Sequence, residues 1–183
     1  CEDILVLAGD VSDKLGVLEE VLGLLASRFG KVLFVPGNHE LWVRQGEHDC
    51  SLEKYRAVNK LCHRLGVITG ILDCENLSLV PLLGWYDFSF GEPDRYLRRA
   101  WRDFRACRWP EELDSAAEVT RYFLAKNQAR LKVRNDTVIS FSHFLPTLAV
   151  MPEHIPVHRR RVYPVLGSEA LGEQVRVLQP DLH

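Results

Sequence analysis

The chain has 183 residues, of which 46% are apolar and 26% are charged, a composition typical of a globular protein with one core. We therefore expect a single domain over residues 1–183. The formal net charge of −2 gives no general attraction to nucleic acid or to an acidic membrane surface. The apolar runs are shorter than the roughly 20 residues that span a bilayer, so no membrane segment is predicted.

The first strong pattern is a strand, a helix and a second strand. Residues 4–8 are continuously apolar, which is typical of a fully buried strand of a parallel sheet, and Gly9-Asp10 ends the run. Residues 31–35 predict a second buried strand. Between them, apolar residues recur at helical steps: Leu15, Leu18, Leu22, Leu25 and Phe29. Such a unit has parallel strands, so the loops that follow both strands open onto one edge, where open α/β sheets bind ligands.

The same signals predict the remaining elements. In chain order they are a helix over 52–65, short strands over 67–71 and 77–83, a helix from the Ser115-x-x-Glu118 capping box to about residue 133, a strand over 137–141, and a short helix capped by Ser168. Residues 144–167 hold four prolines and predict a long surface loop or lid. Trp85 and Tyr86 are predicted to pack in the core, with a pocket wall as the alternative.

Polar side chains follow three of the predicted strands. Asp10 offers a carboxylate, Asn38 an amide oxygen and His143 an imidazole nitrogen, a set of ligands that suits Zn, Mn or Fe. Taken singly, each has a plainer interpretation as part of a turn or as a surface histidine. Together they follow three strands, so we expect them to project onto one edge of the sheet.

These residues lie in three motifs that resemble a known family. GDVSD (9–13), GNHE (37–40) and SHF (142–144) are similar, in order and spacing, to motifs of the calcineurin-like metallophosphoesterases. The intervening LLGWYDFSFG and DFRACRWP resemble its plant and algal members. The resemblance implies an α/β fold, a four-layer α/β/β/α sandwich that is incomplete at both ends. It also implies a hydrolase acting on phosphate mono- or diesters through two divalent metal ions (Mn, Fe or Zn) and a bridging hydroxide.

The resemblance also implies a role for each matching residue. It makes Asp10 the carboxylate that bridges both metal ions, and Asn38 and His143 ligands of the second ion. His39 is then not a ligand, and it stabilises or protonates the departing oxygen of the substrate. The family's Asp-x-His and Gly-His-x-His motifs do not occur among these 183 residues, and His183 is interpreted as a strand residue. We therefore expect an internal fragment, weakly active or inactive alone.

Cysteine usage bears on the compartment. The five cysteines are odd in number and none are spaced Cys-x-x-Cys, which argues against a disulfide framework and against a structural zinc site. A reducing compartment, most simply the cytoplasm, is therefore predicted. The sequence begins at Cys1 with no readable targeting signal.

Other interpretations stay open. The main alternative is a non-catalytic family member in which the same edge binds a partner protein or a phosphorylated ligand. A dinucleotide-binding protein is disfavoured because AGDVSDKLG lacks the necessary glycine spacing. If residues 95–108 form one helix, four arginines share a face that could bind phosphate, although a solvent-facing helix with ion pairs is favoured. These are Arg95, Arg98, Arg102 and Arg105.

Overall fold

The computed structural model describes residues 3–43 and 48–183. They form an α/β fold, as predicted. Its strands and helices are β1 (Ile4–Leu7), α1 (Leu15–Arg28), β2 (Lys31–Phe34), α2 (Ser51–Arg64), β3 (Leu72–Cys74), β4 (Leu77–Leu82), α3 (Arg95–Ala100), α4 (Asp103–Ala106), α5 (Ala116–Ala125), β5 (Thr137–Ser142) and α6 (Glu169–Leu178). Segments of 3₁₀ helix lie between them, including His39–Leu41 in the loop that follows β2. No helix in the described part of the chain is long and apolar enough to cross a membrane.

The strands form two sheets. β1 and β2 are parallel, with Ile4 opposite Lys31 and Leu7 opposite Phe34. In the second sheet, β4 lies between β3, which is antiparallel to it, and β5, which is parallel. The predicted strand over 67–71 is reduced to one parallel bridge between Ile68 and Leu33. The four-layer arrangement of the family stays a prediction.

The two strands of the first sheet differ in burial. β2 is buried from Val32 to Phe34, as predicted. The prediction of a fully buried β1 is wrong, because its residues are only partly covered and Val6 is 39% exposed. The reason is geometric: among the described residues β1 pairs with a strand on one side only.

Two apolar clusters hold the sheets to the helices. The smaller one joins β2 to α1 and α2 through residues such as Leu22, Phe34 and Val58. The larger one joins β4 and β5 to α5 and α6, and it contains Trp85 and Tyr86, so core packing of these two aromatics is confirmed. Burying each large side chain stabilises the fold by about 1.5–3 kcal/mol.

The arginine-rich segment is not one helix, so the less favoured alternative, a phosphate-binding face along one helix over 95–108, is wrong. α3 ends at Ala100, Trp101 is extended (φ −70°, ψ 123°), and α4 begins at Asp103. The break turns the Asp103 side chain into the protein, where its Oδ2 accepts a hydrogen bond from Trp101 Nε1 (2.8 Å). Arg98 lies 3.7 Å from Glu92, in agreement with the favoured interpretation of surface ion pairs.

The later elements follow the sequence more closely. Ser115 caps α5 as predicted, accepting a hydrogen bond from Glu118 N (3.3 Å), but the helix ends at Ala125 instead of near residue 133. Residues 144–167 contain two 3₁₀ segments. The two ends of this loop are joined by a hydrogen bond from Leu145 N to Leu166 O (2.8 Å). α6 begins after Ser168, whose hydroxyl caps it. The strand over 137–141 is confirmed as β5.

Asn127, which is completely buried, explains the early end of α5. Its Oδ1 accepts from Leu83 N (3.0 Å), and its Nδ2 donates to Leu83 O (2.8 Å) and to Gln174 Oε1 (2.7 Å). These bonds need the side chain to leave the helix and to reach the end of β4. One amide thus connects the second sheet, α5 and α6.

Asn127→Ala should therefore destabilise the protein. It leaves the buried N–H and C=O of Leu83 without these partners, so we expect the free energy of unfolding to fall by about 2–4 kcal/mol. Urea denaturation followed by circular dichroism measures this change. Asn59→Ala is the control, because Asn59 makes one bond to Tyr55 O within its own helix (2.8 Å). Equal losses in the two variants would contradict the assignment.

Candidate metal centre

The structure brings together the three side chains that the sequence singled out. Asp10 follows β1, Asn38 follows β2 and His143 directly follows β5. His143 Nε2 lies 3.1 Å from Asn38 Oδ1 and 3.5 Å from Asp10 Oδ1. His143 belongs to the second sheet, so the site lies where two sheets meet and not at the edge of one sheet. That these residues bind a metal stays a prediction.

Two glycines allow this close approach. Gly9 has a φ of +79°, a left-handed conformation that favours glycine, and a Cβ there would lie 2.9 Å from His143 Nδ1. A Cβ at Gly37 would lie 2.8 Å from the same atom and would also overlap the Asp10 carboxylate. Neither loop can therefore carry a larger residue at these positions without moving away from His143.

Glu40 connects the loop that follows β1 to the loop that follows β2. Its side chain is completely buried, and its carboxylate accepts four backbone N–H groups. The donors are Asp10 N (2.9 Å) and Gly37 N (2.7 Å) to Oε2, and Val11 N (2.6 Å) and Ser12 N (3.0 Å) to Oε1. Asp10 is held in a left-handed conformation, with a φ of 58°. The Asp10 loop therefore takes its shape from a residue of the neighbouring loop.

The hydrogen bonds assign the tautomer of His143. Its Nδ1 lies 2.8 Å from Ala8 O, and a carbonyl can only accept, so we assign the ring proton to Nδ1. When the ring is neutral, Nε2 presents a lone pair towards Asn38 Oδ1. A hydrogen bond that orients a ligating histidine through its second nitrogen is usual in metal sites.

Asn38 presents an acceptor as well. Its Nδ2 donates to Asp103 Oδ1 (2.9 Å), which leaves its Oδ1 facing His143. Three acceptor atoms, from Asp10, Asn38 and His143, thus face one another with no donor among them. Their mutual repulsion is relieved when a cation lies between them, so the residues present fit one divalent ion.

The described residues offer less for a second ion. They contain no cluster of three or more His, Cys, Asp or Glu side chains arranged to hold a metal. Of the ligands that the resemblance to the family implies for the other ion, the described residues contain only the Asp10 carboxylate. His183, next to a single parallel bridge between Leu182 and Ile139, bonds instead with the hydroxyls of Ser140 (2.7 Å) and Ser142 (3.0 Å). Burial lowers the pKa of His183 below its ordinary value.

His39 lies at the open side of the site. Its ring packs against Trp42 at a tilt of 32°, with ring centroids 3.8 Å apart, and its Nε2 lies 3.8 Å from Asp10 Oδ2. Its backbone N–H donates to Asp10 Oδ1 (3.2 Å). The His39 side chain is 42% exposed, so it can meet a molecule that enters from solvent.

Sequence reasoning missed two acidic residues that shape this site, Glu40 and Asp103. Asp103 is 2% exposed, and besides Asn38 its partners are the indole N–H groups of Trp42 (2.6 Å) and Trp101 (2.8 Å). Burial raises the pKa of Tyr86, and the Asp103 carboxylate raises it further, so the phenol keeps its proton and donates to Asp103. The available signal was that Asp103 is the one acidic residue within 95–108.

Comparison with known proteins identifies the class. The model of the calcineurin-like phosphoesterase family matches residues 1–183, so the chain belongs to that family, and the resemblance carried by the motifs is confirmed. A curated relative, the acyl-carrier-protein phosphodiesterase PptH of Mycobacterium tuberculosis, is 34% identical over 98 residues. The aligned residues make up 49% of this chain and 30% of that protein, less than a third of its length.

The fold agrees with the same assignment. The crystal structure of the phosphopantetheinyl hydrolase PptH from Mycobacterium tuberculosis matches with a TM-score of 0.71 and 23% identity. The match covers 96% of this chain and 69% of that one. At this identity the likeness concerns the fold, and it supports the α/β architecture predicted from the sequence.

Glu40→Gln tests the importance of the buried carboxylate. Whichever way the new amide turns, its NH₂ group faces two of the four N–H donors, so we expect the free energy of unfolding to fall by about 3 kcal/mol or more. Urea denaturation measures the loss. Glu173→Gln is the control, since Glu173 forms an exposed pair with Arg176, and it should leave stability unchanged. A Glu40→Gln protein as stable as the unmodified chain would contradict the role given to Glu40.

Proposed function

We propose that the protein is a metal-dependent phosphoesterase that hydrolyses a phosphate mono- or diester at a dinuclear metal site. The observation that carries the proposal is the convergence of three acceptor atoms: Asn38 Oδ1 lies 3.1 Å and Asp10 Oδ1 lies 3.5 Å from His143 Nε2. Membership of a family of phosphoesterases supports the reaction type.

Each of the three residues has a physical reason for its place. Asp10 supplies a formal negative charge and two oxygens, so it can bind two cations at once. Asn38 supplies an oxygen without a further negative charge that would repel a phosphate, and His143 supplies a nitrogen that Ala8 O orients. Divalent ions bound there would neutralise the phosphoryl oxygens and activate a water molecule for attack.

His39 is proposed to protonate the departing oxygen. It lies beside the three acceptor atoms without joining them, since its Nε2 is 3.8 Å from Asp10 Oδ2. A nitrogen that binds no metal can carry and give up a proton. Trp42 limits the rotation of the ring by packing against it. His39 is thus oriented by its neighbour and open to the substrate.

The substrate class is proposed from the relatives. PptH is named an acyl-carrier-protein phosphodiesterase, so a phosphodiester with an alkyl leaving group is the first class to test on this protein. A phosphate-ester substrate is the one partner that we propose. The absence of nucleic-acid and membrane partners, and a location in the cytoplasm or another reducing compartment, stay predictions.

His39→Ala distinguishes a proton donor from a structural residue. The variant should lose about 10²- to 10⁴-fold in kcat with an alkyl phosphodiester, whose leaving oxygen needs a proton. It should lose much less with a nitrophenyl ester, whose leaving group departs without protonation. Hydrolysis is to be measured with added Mn²⁺ on the full-length protein, with His154→Ala, an exposed histidine outside the site, as control. Equal losses on both esters would contradict the role of His39, and activity that survives Asp10→Asn unchanged would contradict the proposed function.

His143→Ala tests the metal centre directly. The described residues supply three ligands at this site, so the 183-residue chain should bind Mn²⁺ there. Loss of a ligand should weaken binding by more than the 10- to 100-fold that is typical of losing an outer partner. Electron paramagnetic resonance of free Mn²⁺ measures the affinity, with His154→Ala again as control. Unchanged Mn²⁺ affinity in His143→Ala would contradict this assignment.

A further inference from the structure

Asp103 lies outside the three strand-end motifs, yet it touches a proposed metal ligand. Its side chain is buried, and its Oδ1 accepts both Asn38 Nδ2 (2.9 Å) and Trp42 Nε1 (2.6 Å). Its Oδ2 accepts Trp101 Nε1 (2.8 Å). These three N–H donors and the Tyr86 phenol are all neutral, so the carboxylate is solvated by the protein itself.

We infer that Asp103 is a positioning residue that fixes the direction and raises the donor strength of the Asn38 amide. This inference rests on the proposed metal-dependent function. An asparagine side chain can turn its oxygen or its nitrogen to the same point with almost no change of shape. A metal centre needs the oxygen, and an amide turned the other way would present an N–H₂ group to the cation.

The carboxylate decides between the two orientations. An ionised carboxylate can only accept hydrogen bonds, so the NH₂ end of Asn38 must face Asp103 and the oxygen must face His143. The charge of Asp103 also strengthens that hydrogen bond and draws electron density onto the amide oxygen. Carboxylates act in this way on ligating histidines, and here the intermediate group is an amide.

Asp103 is itself held in place by the break between α3 and α4. Trp101, two residues before it, is extended and bonds Oδ2, while Trp42 approaches Oδ1 from the chain that follows β2. Trp42 also packs against the ring of His39. The Asp103 carboxylate therefore positions Asn38 directly, and it positions Trp42, which in turn supports His39.

A purely structural role for Asp103 makes a different prediction from a positioning role. If Asp103 only stabilises the fold, its replacement lowers the free energy of unfolding but leaves the metal affinity of the folded protein unchanged. If Asp103 acts through Asn38, its replacement weakens metal binding, and this loss disappears when the Asn38 amide is already absent. A double-mutant cycle separates the two cases.

The experiment compares Mn²⁺ binding by the 183-residue chain, Asp103→Asn, Asn38→Ala and the double variant. Asparagine keeps the size of the side chain, removes its charge and offers one acceptor in place of two. We expect Asp103→Asn to bind Mn²⁺ about 10- to 100-fold more weakly, and the double variant to bind no more weakly than Asn38→Ala alone. The visible spectrum of bound Co²⁺ should change in Asp103→Asn, because it reports on the ligand field.

Two further variants keep the outcome interpretable. Asn127→Ala removes hydrogen bonds of an equally buried side chain elsewhere, so it should reduce stability and leave Mn²⁺ affinity unchanged. If Asp103→Asn does not fold, Trp101→Phe removes the donor to Oδ2 and retains the carboxylate. We expect this variant to lose a few-fold in affinity, again only when Asn38 is present.

The outcomes distinguish this inference from the function on which it rests. If Asn38→Ala and His143→Ala weaken Mn²⁺ binding but Asp103→Asn and Trp101→Phe do not, the inference on Asp103 is wrong and the metal centre stands. Losses from Asp103→Asn and Asn38→Ala that simply add would also overturn it. If the unmodified chain binds no Mn²⁺, or Asn38→Ala and His143→Ala bind it normally, the proposed function itself fails.

Discussion

The site depends on the buried carboxylate of Glu40. A negative charge without water is costly, and here four backbone N–H groups, from Asp10, Val11, Ser12 and Gly37, replace the water. Because the donors come from two loops, the carboxylate can be satisfied only when both loops adopt their native shapes. Lys54, also buried, supports the same junction by donating to the carbonyls of Asp13 and Trp42. The two loops therefore take their shape from contacts within the protein.

Each candidate ligand is then oriented by a separate contact. Ala8 O orients His143, Asp103 orients Asn38, and the N–H of His39 bonds to the Asp10 carboxylate. The result is three acceptor atoms that repel one another. Such an arrangement is unfavourable for stability and persists only because the surrounding contacts hold it. Binding sites commonly carry this cost, since a preorganised site spends less free energy on reorganisation when its ligand binds.

Local patterns were sufficient to predict the two parallel strands, most helices and the three strand-end motifs. Periodicity and the Ser115 and Ser168 caps concern residues close in sequence, so they can be read directly. The break between α3 and α4 could not be predicted from local patterns, because it depends on a hydrogen bond between Asp103 and Asn38, which lies 65 residues away. The role of Glu40 depends likewise on contacts 28–30 residues away. The partial exposure of β1 depends on which strands lie beside it.

Among the three neighbours Asn38, His39 and Glu40, only Glu40 carries a carboxylate, and backbone N–H groups of the protein donate to it. Glu40 and the distant Asp103 bring negative charge close to the site, yet their oxygens are occupied by N–H donors from the protein. Asp10 is thus the carboxylate left to face the proposed cation, and Asn38 adds an oxygen without adding charge. In the proposed function, a phosphate that approaches on the side of His39 would therefore meet a cation only partly neutralised by the protein. Buried acidic groups can shape such a site without repelling its anionic substrate, provided that hydrogen bonds hold their oxygens away from it.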